Sequence, residues 1–380
     1  MKYLTNSDVW IESRRQKLQG CRLLASVAIA TLLLAAGGSA LAHAEAEKTI
    51  TGLTNPKAAV FNPATGKVYT VDVDAGAIDI SDDTANTTVH VKVGAGPVSI
   101  AVDSKNGRAY VANADDGTVS VVDGKTDAVI ATVQIGSHPY SIAADSVAGR
   151  IYVSRTYSDQ LTVIDAATNN VSEIKTGSPD LIAVDPKRDT AYLLGYEGGD
   201  LAVLDGAART FRKTSVGMHA WGIALNEETG ALYVTKPGDA EVAVLESGAT
   251  SPRMIPAGLI PCSVAVNSKT NTVYAVNYRG NSVTVIDGAK GRSIATVPVG
   301  TRPQAIAVDS EHNLVYVVNT QGNSVTVIDG NDNKVLDTLN AGKAPYALAI
   351  NPAEGKLHVA NLEGKPFTII DVSRFRRPIH

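Results

Sequence analysis

The feature that most restricts what this chain can become is a repeat. A proline, or the one alanine that stands in for it, returns at Pro56, Pro97, Pro139, Pro179, Ala220, Pro261, Pro303 and Pro345, in steps of 40 to 42 residues. The copy from Val299 to Thr338 is the most regular. It holds three β-prone runs, Ala305–Asp309, Leu314–Val318 and Ser324–Asp329, with a shorter fourth, Val335–Leu339, and polar turns between them. Their β-branched residues alternate or run continuously, as suits strands buried between neighbouring sheets. Pairs such as Gly322-Asn323 and Asp329-Gly330 supply the positive φ that tight hairpins need. Four strands in a period of this length are the pattern of a propeller blade. One unit alone would leave both faces of its sheet bare, so the units must stack and close into a ring.

Eight copies predict an all-β protein, a β-propeller of eight four-stranded blades over residues 45–371, with 372–380 left as a C-terminal tail. The eighth copy offers only three strands, near Tyr346–Ile350, Lys356–Ala360 and Phe367–Asp371. Lys48–Leu53 precedes the first proline turn yet aligns with the outer run Ala131–Gly136, so this N-terminal strand is expected to complete the last blade and remove an open edge. Seven blades is the alternative if the loosest copy, around Ser247–Pro256, is irregular.

Residues 1–44 stand outside the repeat. Arg14, Arg15, Lys17 and Arg22 precede the apolar run Leu23–Ala36, and small residues follow at Ala40, Ala42 and Ala44. This is the layout of a secretory signal peptide, with cleavage expected after Ala44, and it predicts a periplasmic or secreted protein. Ser13-Arg14-Arg15 is similar to the start of a twin-arginine signal, but Lys17 stands where such signals place an apolar aromatic, so an ordinary basic leader is expected. No later stretch offers a membrane span. Removing the leader takes five of 34 basic and two of 38 acidic side chains, leaving 29 against 36 and a net charge of −7. That balance argues against a nucleic-acid partner, whose phosphates demand concentrated positive charge. Cys21 leaves with the leader, so Cys262 is alone and no intramolecular disulfide is expected.

The runs Tyr110-Val111-Ala112-Asn113, Tyr274-Ala275-Val276-Asn277 and Tyr316-Val317-Val318-Asn319 are each followed by a strand such as Ser324–Asp329. Their repetition resembles the YVTN β-propeller repeats of bacterial and archaeal exported and surface proteins. The resemblance covers essentially the whole mature chain. It implies the architecture and an exported setting, but that family includes binding proteins, surface-layer components and some enzymes, so it does not imply one chemistry.

In a repeat protein the consensus describes the scaffold, and departures from it are where a site would be written. In a propeller, the proline turn and the turn after the Tyr-Val-x-Asn run fall on one face, here called the top. Copy three carries His138, Tyr140, Arg155 and Tyr157 at these turns; copy four Asp180, Tyr196 and Glu197; copy five His219, Trp221 and Lys236; copy six Cys262, Tyr278 and Arg279; copy seven Arg302 and Gln304. Arg155 and Lys236 replace the consensus asparagine. Together they predict an arc of imidazole, cationic and aromatic groups around the channel mouth, suited to a small anionic or aromatic ligand or to a protein partner. The structural alternative is that large side chains plug the wide end of the channel. His138, His219 and Cys262 share one turn position, and imidazole with thiolate is a donor set for copper or zinc, although no closely spaced ligand pair anchors it. An enzyme of the lyase, hydrolase or metal-assisted oxidoreductase kind would use His138 or His219 as acid, base or ligand with Arg155 fixing an anionic substrate. A surface or structural role needs no site at all. Nucleophile elbows, phosphate loops and dinucleotide fingerprints are absent from the sequence.

Overall fold

The computed structural model describes residues 48–49, 54–196, 198–364 and 366–376. The expected leader at 1–44 and Glu197 lie outside these residues. Eight four-stranded antiparallel sheets make up the fold. Blade 1 comprises Pro56–Asn62, Lys67–Asp72, Ala77–Asp82 and Thr87–Lys92, from the centre outward. Blades 2 to 7 repeat this order from innermost strands that begin at Pro97, Pro139, Leu181, Ile223, Pro261 and Pro303. Each innermost strand adjoins the next, and that of blade 8 adjoins that of blade 1, so the ring is closed. Among the described residues no helix is long and apolar enough to cross a membrane.

Blade 8 closes as the sequence predicts. Its strands Lys343–Asn351, Lys356–Glu363 and Phe367–Asp371 are joined by Lys48–Thr49, with Lys48 opposite Ile369 and Thr49 opposite Thr368. The seven-blade alternative is not realised, because the loose copy still supplies its outer strand: Arg253–Pro256 pairs along Glu241–Leu245. Beyond Asp371 the chain packs back on the ring. Val372 is fully buried, and the Arg376 guanidinium donates to the carbonyls of Asn351, Pro352 and Ala353.

The middle strands carry the core. In blade 7 every residue of Leu314–Asn319 and Ser324–Asp329 is buried, whereas the outer strand Lys334–Asn340 is mostly exposed. The consensus tyrosine of the second strand, Tyr69, Tyr110, Tyr152, Tyr192, Tyr233, Tyr274 or Tyr316, is buried in all seven blades that have it. Burial penalises the phenolate and pushes these hydroxyls up, Tyr233 and Tyr274 to about 12.

The consensus asparagine has a defined task. The Asn319 amide reaches across the hairpin to the Ser324 and Thr326 hydroxyls at 3.1 and 2.9 Å, and Asn277 makes the same pair of bonds to Ser282 and Thr284. Its carbonyl oxygen accepts the Gly258 N–H at 3.0 Å. The loop above must be glycine there, since a Cβ on Gly258 would sit 2.6 Å from the Asn277 side chain. Sequence and fold agree that this is scaffold.

The closing seam departs from the others. Gly124 of blade 2 meets Tyr69 of blade 1, and a Cβ at Gly124 would lie 2.6 Å from the Tyr69 hydroxyl. At the seam between blades 8 and 1 the same two places hold His358 and Asp83. Their side chains are buried, with Nε2 2.8 Å from the Asp83 carboxylate. Asn351 donates to that carboxylate at 2.8 Å, and Lys356 donates to the Asp83 carbonyl. Burial opposes the Asp83 charge, but the His358 hydrogen bond and charge outweigh it with help from Asn351 and Lys356, so its pKa lies below the ordinary carboxylate value.

Candidate functional site

Backbone hydrogen bonds place the two expected turns on one face. The residue after the consensus asparagine donates to the carbonyl of the residue before the proline: Tyr278 to Ile260 at 2.9 Å, Thr320 to Arg302 at 3.0 Å, and Thr156 to His138 at 2.9 Å. The residue before the proline adopts left-handed φ at Gly96, His138, His219, Ile260, Arg302 and Ala344, between 50° and 61°. Glycine takes that conformation freely, so five side chains are held there at a cost, and for β-branched Ile260 the conformation is a true outlier. Asparagines of the preceding blade help to hold it: Asn281 accepts from the Arg302 N–H and Asn323 from the Ala344 N–H, each at 2.9 Å.

Two of the cations expected to hold a ligand's charge are engaged inside their own blades. Arg155 lies under Gly136 with its guanidinium 2.5 Å from Glu173 on the outer strand. Because it lacks the asparagine amide, the buried Thr162 hydroxyl seven residues on has no partner among the described residues, and neither has Arg155 Nε. Lys236 is buried beneath Gly217 with its ammonium 2.6 Å from Asp239 and 3.9 Å from Glu241. Arg302 stacks on Tyr278, guanidinium to ring centroid 5.0 Å. Arg279 is exposed on the same turn.

The seam between blades 4 and 5 gathers the aromatic part of the arc. Gly195 replaces the asparagine, and its N–H closes the hairpin on the Asp200 carbonyl at 2.8 Å. The Asp180 carboxylate then takes the bond that a backbone carbonyl takes elsewhere, accepting the Tyr196 N–H at 2.8 Å. Tyr196 meets Trp221 edge to face, centroids 5.2 Å apart and planes at 81°, and lies 6.4 Å from the His219 ring at 68°. Tyr196 and Trp221 are half-buried and His219 is exposed. In blade 3, Tyr140 and Tyr157 are exposed on the same face.

The copper or zinc set is not assembled: among the described residues no group of three or more His, Cys, Asp and Glu side chains is placed to hold a metal. Cys262 is buried, its thiol 3.7 Å from the carbonyls of Pro303 and Gln304. Two residues of this face escaped the sequence reading. Met218 and Leu259, 62% and 64% exposed, occupy the position two before the proline or its substitute in blades 5 and 6. Aligning that position would have found them, because the other copies place Thr54, Ala95, Ser137, Gly177, Thr301 and Lys343 there.

No family model matches the chain, and no curated protein matches it in sequence. A solved chain of hydrazine synthase from Kuenenia stuttgartiensis is similar in structure, with a TM-score of 0.58 and 17% identity, over 90% of this chain and 100% of that one. At that identity the likeness is one of fold alone.

Proposed function

We propose that this is an exported propeller of the YVTN repeat type that binds a small organic ligand at the top-face mouth of the ring, without transforming it. The observation that carries the reading is the cross-seam contact of Tyr196 with Trp221, made by residues that depart from the repeat. Half-exposed aromatic rings meeting where two blades join are what a concave binding site requires, and nothing in the scaffold needs them. Met218, Leu259, Tyr140 and Tyr157 are further exposed apolar side chains at the turns of this face in blades 3, 5 and 6. Export rests on residues 1–44, with cleavage after Ala44 and a periplasmic or secreted destination. The test is a thermal-shift screen of the purified protein against organic anions, organic cations, sugars and neutral aromatics. A saturable shift that vanishes in Trp221→Ala and Tyr196→Ala, with both variants folded, is the expected result. A screen in which no class shifts the protein, or in which the shift survives both variants, overturns the reading.

A further inference from the structure

The repeat supplies its own controls for what the blade 4–5 seam is suited to hold. Tyr278 in blade 6 and Tyr196 in blade 4 occupy the same place, four residues after the consensus tyrosine. Over Tyr278 the next blade lays a cation, Arg302, from the position just before its proline. A second seam does likewise with neighbouring positions: Lys57 of blade 1 lies 5.5 Å from the Tyr346 ring of blade 8. At the blade 4–5 seam the place of Arg302 is taken by His219 and the place of Lys57 by Trp221, so aromatic rings stand where the other seams put a cation over a ring.

The charge around this seam has one dominant sign. Asp180 is bonded to the Tyr196 backbone and Asp200 begins the next strand, while Asp159 on the neighbouring turn is paired with Lys175 at 3.1 Å. The nearby cations lie in other contacts: Arg155 with Glu173, Lys236 with Asp239, and Lys213 beside the Phe211 ring at 5.8 Å. Beyond the leader the chain has a net charge of −7. Perpendicular aromatic walls with a carboxylate at their base attract a cation through the ring quadrupoles and through Coulomb attraction. They repel an anion. Within the binding reading given above, on which this inference rests, we propose that the blade 4–5 seam takes a small organic cation of the alkylammonium or quaternary ammonium class, its charge against Tyr196 and Trp221 and beside Asp180.

The chain contains two tryptophans, Trp10 and Trp221, so Trp10→Phe in the full chain makes Trp221 the sole indole and its fluorescence a reporter of the seam. This protein is titrated with choline, with its neutral carbon isostere 3,3-dimethylbutan-1-ol, and with benzoate. The inference predicts a saturable change with choline, at least about tenfold weaker binding of the isostere, and no saturation with benzoate. Asp180→Asn keeps an oxygen for the Tyr196 N–H but removes the charge, and is expected to weaken choline several-fold while leaving the isostere unchanged. Equal binding of choline and isostere, or saturation by benzoate but not choline, overturns the cation and leaves the binding reading standing. Silence of Trp221 towards all three probes in a protein that still melts cooperatively also overturns the cation, and the thermal-shift screen then decides the binding reading separately.

Discussion

The sharpest structural prediction concerns the closing seam, where His358 and Asp83 replace a tyrosine and a glycine together. Asp83→Gly strips a buried histidine nitrogen of its partner and the Asn351 amide of one of its two acceptors, leaving it only the Gly66 carbonyl. His358→Tyr drives a hydroxyl against a carboxylate in a space that Gly124 leaves open to Tyr69 at the seam between blades 1 and 2. Breaking a buried hydrogen-bonded pair from one side costs about 3 kcal/mol, since the orphaned partner stays desolvated. Unfolding entropy near 2.1 cal/mol/K per residue over a ring of roughly 330 residues converts this to a fall of about 4 °C in melting temperature for each single variant. The double variant rebuilds the seam found between blades 1 and 2 and should recover most of the loss, ending below the cost of either single, so the coupling in a double-mutant cycle should exceed about 3 kcal/mol. Melting and urea titration of the four proteins measure it. The acid limb gives a second check. Because the fold depresses the Asp83 pKa, its contribution is complete above the ordinary carboxylate range and is lost as pH falls through the depressed folded value. The wild type should therefore lose more stability below about pH 4 than the double variant does. Additive single effects, or a double variant no better than either single, would mean that His358 and Asp83 are not a coupled replacement.

Three further outcomes follow from the scaffold. Asn277→Ala removes the amide that donates to the Ser282 and Thr284 hydroxyls and one of the two acceptors of the Gly258 N–H, and should cost about 2 kcal/mol, read by urea titration. Arg155→Asn restores the amide that the buried Thr162 hydroxyl lacks and releases Glu173 to solvent, so it should raise stability by about 1 kcal/mol and leave ligand-induced melting shifts unchanged. A lost ligand response in that variant would return Arg155 to the binding site. In an alkaline absorbance titration the strand tyrosines should ionise late, with Tyr233 and Tyr274 near 12. Their raised values mean that their contribution is complete below pH 10 and declines as pH rises towards the folded values, so phenolate absorbance from these residues should appear together with unfolding.

Blade number, strand order and the closure by Lys48–Thr49 were legible because each is written eight times or is a gap that only one segment can fill. Strand ends in blades 7 and 8 fall within two residues of the expectation, except that Lys343–Asn351 and Lys356–Glu363 run three residues further into the top-face turns. The site was legible only in part. Departures from consensus single out Tyr196, His219 and Trp221, which the fold brings into contact, but they do not say where a long side chain goes. Arg155 and Lys236 read as ligand cations, yet each fills the asparagine's space and finds a carboxylate within its own blade, Glu173 or Asp239. That choice depends on which carboxylates the hairpin register brings alongside, information that a single turn position does not carry. The metal set fails for a related reason: equal positions in different blades point to equal places around the ring, not to one point.

The proposed function requires that the departures at the blade 4–5 seam serve a ligand and not the scaffold. The direct measurement replaces them with their counterparts from the most regular copy, as Tyr196→Thr, His219→Arg and Trp221→Gln in one protein, and records its melting with and without the ligand class found by the screen. Retained melting temperature with loss of the ligand-induced shift is the predicted result. An unchanged shift would contradict the claim, as would a ring that no longer folds once these residues are made regular.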